Sequence, residues 1–351
     1  MSAPPSLLRL LAWLGFDATP PSRARRRTAP ARVRPAPAPA PAPDLDPHDL
    51  SQGALRASLV RALFETRDRA TDPADKGLCD RLLRALGSDT LDLPVFPRVA
   101  HQLDALLRGG DPSVRDVTDL IRQEPDLVRR TWARASSAAY ARRATSLDHA
   151  VTRIGFDALW QIAMQACFAS PVFRVPGHEA ALDGLRVRGV ATAALAGWLA
   201  DAPRGDAYLA GLLHGAGGLL VYRAAGPARR DQAPDPAQVR RLAVDLEPAL
   251  GALLAHTWGL SAAVVAGIAC SLDPERAPRT GAACAQQVHA ARIAVRAAIA
   301  GVTDPRGSSL AALARQGPLI FDAERALELA HQALDDAGGI RPRLPEADPS
   351  A

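Results

Sequence analysis

Leu209-Ala-Gly-Leu-Leu-His-Gly-Ala-Gly-Gly-Leu219 decides how the rest of this chain is read. Its leucines and alanines form an apolar helix end. Its glycines (Gly211, Gly215, Gly217, Gly218) permit neighbouring helices to approach closely. Into these small residues it delivers one imidazole, His214. A histidine followed directly by a carboxylate is a pair able to hold a divalent cation. Here the next residue is Gly215, which has no side chain. The segment is therefore half of a site, or the scaffold of a lost one.

Working outward, composition fixes the fold class. Hydrophobic residues make up 48% of the 351-residue chain but aromatics only 4%, so the core must be built of Ala, Leu and Val. Such a core favours close-packed helices, because strands draw on β-branched and aromatic side chains. The chain is expected to be all-α. Its net charge of +5 is misleading. Residues 1–43 hold seven arginines and one acid, a local +6, which leaves −1 for everything after them. The near-neutral body gives no reason to expect nucleic-acid binding. The four cysteines have no C-x-x-C spacing, so thiols in a reducing cytoplasm are expected, not a disulfide frame or zinc site. No apolar run approaches the ~20 residues of a bilayer span.

Four regions follow in order. Residues 1–45 read as a basic, Pro/Ala-rich flexible arm with a short apolar tip, Leu7–Phe16. The tip has two open readings: weak contact with an anionic membrane surface through residues 1–34, or a disordered tail. Residues 46–88 read as a helical hairpin, with Leu55, Leu59, Ala62 and Leu63 on one face and Leu78, Leu82, Leu83 and Leu86 on the other helix. Residues 89–300 form the main helical domain, and 301–351 a last helix (Ala323 to Ala337) with a frayed tail. Within the main domain Ser113 and Asp116 make a capping box. Gly155 stops a helix begun at Leu147, and a second follows from Phe156 to Phe168. Leu185 to Leu199 is a helix expected to turn Val187, Val190, Ala191, Ala194, Leu195 and Trp198 inward. Asp206 to His214, Leu246 to Leu254, Ala262 to Cys270 and Gly281 to Ile299 are further helices.

Several pieces then occur in order and at close spacing: Leu93-Pro-Val-Phe-Pro97, Leu120-Ile-Arg-Gln-Glu-Pro-Asp-Leu127, Ser136-Ser-Ala-Ala-Tyr140, Ser146-Leu-Asp-His-Ala-Val151 and Ile154-Gly155. Gly251-Ala-Leu-Leu254 with Trp258-Gly-Leu260 completes the series. Over residues 91–273 the chain resembles the HD-related output domain (HDOD) family, an all-helical bacterial signalling module. Ser136 departs from the asparagine usual there. The resemblance implies a multi-helix HD-like bundle, preceded here by the hairpin and the arm.

It also locates the positions where HD-type phosphohydrolases carry metal ligands. The early histidine falls near Arg188, the His-Asp pair at His214-Gly215, a later histidine at about Glu247, and the closing one around Cys270-Ser271. One histidine with a guanidinium does not make a dinuclear metal site. No catalytic residue, metal or cofactor is expected. Arg188, His214 and Glu247 are instead the candidate vestigial pocket, with two readings open. Arg188 grips a phosphate or carboxylate ligand with His214 as second donor, or it pairs with Glu247 while His214 is a hydrogen-bonded core histidine. No G-x-S-x-G elbow, Walker-type loop or H-E-x-x-H helix offers another chemistry. The expected function is a non-enzymatic regulatory module with a protein partner in a bacterial signalling pathway. It is placed in the cytoplasm, with peripheral contact at the inner membrane as the variant the arm leaves open. The alternatives are a residual metal-dependent phosphohydrolase acting on a nucleotide, and an anionic nucleotide sensor without chemistry.

Overall fold

The first helix starts where a side chain can close its open end: Ser51 Oγ accepts from the backbone N–H of Ala54 at 3.3 Å. In this computed structural model the described residues are 43–87, 98–110, 112–136, 144–169, 174–202, 205–226, 234–306, 308–316 and 319–339. Most of the arm, the 93–97 lead-in, the run at 137–140 and the tail after 339 lie outside them. Among the described residues the secondary structure is helical throughout, with no strand. The fold class is all-α.

Helices α1 (Gln52–Arg69) and α2 (Pro73–Gly87) form the hairpin. Leu55, Leu59, Leu63, Leu78 and Leu82 are buried as the leucine spacing dictates. Their apolar faces are not a separate core. α1 lies on α10, α2 touches α9, and Arg81 Nε donates to the Ala224 carbonyl at 2.6 Å.

The next layer comprises α3 (Arg98–Arg108), α4 (Val114–Ile121) and α5 (Pro125–Ala135), all packed against α6 (Leu147–Ala169). Ser113 and Asp116 make the capping box of α4. Gly155 breaks α6 with φ 78° and ψ 163°, a conformation essentially reserved for glycine. The two parts expected on either side of it therefore meet at a kink. Trp160 joins this layer to the bundle. Its Nε1 donates to Asp104 at 2.8 Å and its ring lies 5.3 Å from that of Tyr208.

The bundle is made of α7 (Glu179–Leu199), α8 (Asp206–Leu213), α9 (Ala216–Ala225), α10 (Pro236–Thr257), α11 (Ala262–Ala269), α12 (Ala282–Ile299), α13 (Ser309–Gln316) and α14 (Ala323–Gly339). α14 covers α7 and α12, so the C-terminal helix belongs to the same packed body. Two details differ from the sequence expectation. The histidine-bearing helix ends at His214 as expected, but the glycine run that follows opens a further helix, α9, which is absent from the sequence expectation. Trp198 and Ala194, one turn apart on α7, lie on its solvent side; Trp198 is 42% exposed. Small residues set the tightest approaches. A Cβ on Gly211 would lie 2.9 Å from Ala193 Cα, and one on Gly217 would lie 2.3 Å from the Glu247 carbonyl. Among the described residues no helix is long and apolar enough to cross a membrane.

Candidate functional site

The tight α7–α8 and α9–α10 packing brings four helices around one buried polar cluster. His214 caps the C-terminal end of α8 and is buried. Its Nδ1 lies 2.6 Å from the Gly211 carbonyl, a contact that is favourable only if Nδ1 carries the proton and donates it. Burial holds the imidazole well below its usual pKa, and the Arg292 and Arg188 guanidiniums push the same way. His214 is thus a neutral imidazole with an unprotonated Nε2.

Glu247, on α10, has a side chain only 3% exposed and lies between two guanidiniums. Arg188, from the middle of α7, places Nη2 3.9 Å from Glu247 Oε2. Arg292, from α12, places Nη2 3.4 Å from Glu247 Oε1. Arg292 Nη1 also donates to Ser271 Oγ at 2.7 Å. The Ser271 carbonyl accepts from His289 Nδ1 at 2.9 Å. Burial lowers the pKa of Arg292; Glu247 opposes this, while Arg188 and Arg296 reinforce it as like charges. The phenol of Tyr222 feels Arg188, Arg240 and Glu247, and its ring centroid lies 5.2 Å from that of His178.

The three residues named from sequence are therefore brought together, with Arg188 and Glu247 at ion-pair distance and His214 held by its own helix. Arg292 and His289 were not anticipated, because they lie beyond the resembling stretch. They sit one helical turn apart on an alanine-rich helix, and a polar i, i+3 pair on such a helix is the signal that marks them. Cys270, near the position that the resemblance gives to a closing ligand, is buried with its thiol pKa raised by that burial, which disfavours the thiolate a metal requires.

These residues do not fit a catalytic cation. Two guanidiniums face the one carboxylate, and His214 and His289 each have one ring nitrogen committed to a backbone carbonyl. Among the described residues no group of three or more His, Cys, Asp or Glu side chains is arranged to hold a metal ion. No step through a metal is derived from this site.

Residues 93–274, more than half of the chain, match the family model for the HDOD domain. The chain belongs to the HDOD family. Solved structures agree on the fold. An HDOD domain protein of unknown function from Geobacter sulfurreducens is 21% identical with a TM-score of 0.52, covering 75% of this chain and 98% of that one. A protein from Shewanella amazonensis SB2B, provisionally named a metal-dependent phosphohydrolase, is 21% identical with a TM-score of 0.56, covering 76% and 99%. A protein from Marinobacter aquaeolei VT8, provisionally named a signal transduction protein, is 23% identical with a TM-score of 0.51. The match covers 76% of this chain but only 64% of the Marinobacter protein. No curated protein matches the chain. The HDOD assignment supports a signalling module, and the likenesses show the helical-bundle fold.

Proposed function

We propose that this HDOD protein is a non-catalytic bacterial regulator that acts by binding another protein. The observation that carries this reading is that Arg188 and Arg292 both face the buried Glu247, where the family resemblance would put metal ligands at 188 and 247. A guanidinium repels the cation a phosphohydrolase needs and has no lone pair to coordinate it. The scaffold is kept while the chemistry is not, which suits a domain whose product is a surface.

The test has two arms on the full chain. Incubation with p-nitrophenyl phosphate and bis(p-nitrophenyl) phosphate, with added Mn²⁺, Fe²⁺ or Zn²⁺, is expected to give no turnover above the metal alone. Turnover that disappears in His214→Ala would overturn the reading. Cross-linking in the native cell, followed by purification, is expected to recover one partner in stoichiometric yield. The reading places the protein in the cytoplasm, and deletion of residues 1–34 is expected to leave a fluorescent fusion there. Movement from the envelope to the cytosol on deletion would assign the arm to the membrane surface instead.

A further inference from the structure

We propose that the α1–α2 hairpin is a proton-responsive clasp on the HDOD body, with Asp75 as the group that sets its grip. The inference is independent of the reading of the Arg188–Glu247–Arg292 cluster. The hairpin lies ahead of residues 93–274, so it is an addition to the stretch that matches the family. It packs on α9 and α10, and its grip governs access to that part of the bundle. Asp75 stands at this junction, in the first turn of α2. Its carboxylate accepts from the backbone N–H of Asp235, the residue that caps α10. Its Oδ1 is buried without a hydrogen-bond partner among the described residues.

Two helix starts converge on Asp75, and each brings a carboxylate of its own. Asp72 Oδ1 accepts from the Ala74 N–H at 2.8 Å, and Asp235 Oδ1 accepts from the Ala237 N–H at 2.9 Å. Both charges act against that of Asp75, while Arg241 on α10 favours it and also acts on Asp245. Further along α2, Asp80 pairs with Arg67 of α1, and both act on the Cys79 thiol together with Asp75. α9 meets α2 beyond that point, where Arg81 donates to the Ala224 carbonyl. Burial, the largest influence, pushes the Asp75 carboxyl above its ordinary 3.8; Asp72 and Asp235 add to this, and the Asp235 N–H and Arg241 oppose it. A proton on Asp75 removes a charge that burial and two neighbours disfavour, and leaves an oxygen to accept from the Asp235 N–H. The grip is therefore at full strength below pH 3.8 and loosens as pH rises through the raised value.

Hydrogen exchange read by mass spectrometry on the full chain, at pH 4 and pH 7 and corrected for the intrinsic pH dependence of exchange, tests this. The readout is the protection of α2 relative to that of the buried helix α8. In the wild type this ratio is expected to be at least about twofold higher at pH 4 than at pH 7. Asp75→Asn keeps an acceptor for the Asp235 N–H but carries no charge, and is expected to hold the acid-state ratio at both pH values. Arg241→Gln removes the cation that favours the charged form, and is expected to enlarge the difference between the two pH values. A merely structural contact would lower protection equally at both. Should Asp75→Asn fail to fold, Arg241→Gln still decides. Equal pH responses in wild type and Asp75→Asn, or an unaltered response in Arg241→Gln, overturn the inference. Exchange of α2 that tracks α8 at both pH values also overturns it, because the hairpin then opens only with the whole bundle.

Discussion

Replacing Gly217 with alanine puts a methyl group where α9 and α10 are closest. The new Cβ would lie 2.3 Å from the Glu247 carbonyl oxygen, 2.5 Å from the Gly251 nitrogen and 2.9 Å from Leu250 Cβ. The two nearest atoms are backbone of a helix buried along most of its second half, so no side chain can swing aside. Restoring an ordinary contact of 3.4 Å requires the helices to separate by about 1 Å. A gap of that size forfeits roughly a quarter to a half of the dispersion energy of each opened contact. The overpacking penalty therefore belongs near the top of the usual range, about 3 kcal/mol. Alanine's better helix propensity returns about 1 kcal/mol, leaving a net loss of about 2 kcal/mol. The adjacent Gly218 is the internal control. There a Cβ meets nothing nearer than 3.5 Å, so Gly218→Ala keeps only the propensity gain and stabilises by up to ~1 kcal/mol. Guanidinium unfolding followed by far-UV circular dichroism should place the two midpoints on opposite sides of the wild type. Midpoints that coincide would refute the close-approach argument.

Three further outcomes follow. Gly155→Ala forces a side chain into φ 78°, ψ 163° and should lower stability by ~1–3 kcal/mol in the same assay, whereas a neutral result would deny that the α6 kink needs glycine. His214 has a folded-state pKa below its ordinary 6.5, so the unfolded chain takes up the proton first. Its contribution is present above pH 6.5 and lost below it, with a slope of up to ~1.4 kcal/mol per pH unit. The half-buried carboxyls Asp75 and Asp245, whose pKa values are raised by desolvation, act in the opposite sense at lower pH. The informative quantity is the difference in urea stability between wild type and His214→Gln from pH 7 to 5; parallel profiles would rule out a neutral buried imidazole. Cys79 and Cys284, pushed up to about 11 and about 12 by burial, should resist iodoacetamide in the native chain at pH 8 and react once it is unfolded. Rapid native labelling of either would contradict the burial.

Much of the fold could be read in advance where local rules agree with tertiary packing. The leucines of α1 and α2, the Ser113–Asp116 box and the stop at Gly155 are each set within a few residues. What escaped depends on distant partners. α9 begins in a glycine run of poor intrinsic helix propensity and forms because those glycines fit against α10. α10 extends back to Pro236, capped by Asp235, although polar residues such as Arg240, Arg241 and Asp245 obscure the apolar period of its first half. The site divides in the same way. Arg188, His214 and Glu247 occupy positions that the family series marks. Arg292 lies 21 residues past Ser271 on another helix, and only folding brings it to Glu247.

The central claim is that guanidiniums have displaced metal ligands at this site. Elemental analysis of the full chain, purified without chelators from cells grown in metal-replete medium, tests it most directly. The account predicts Fe, Mn and Zn each far below one atom per chain, unchanged in His214→Ala. Close to one atom per chain of any of the three, lost in His214→Ala, would contradict it.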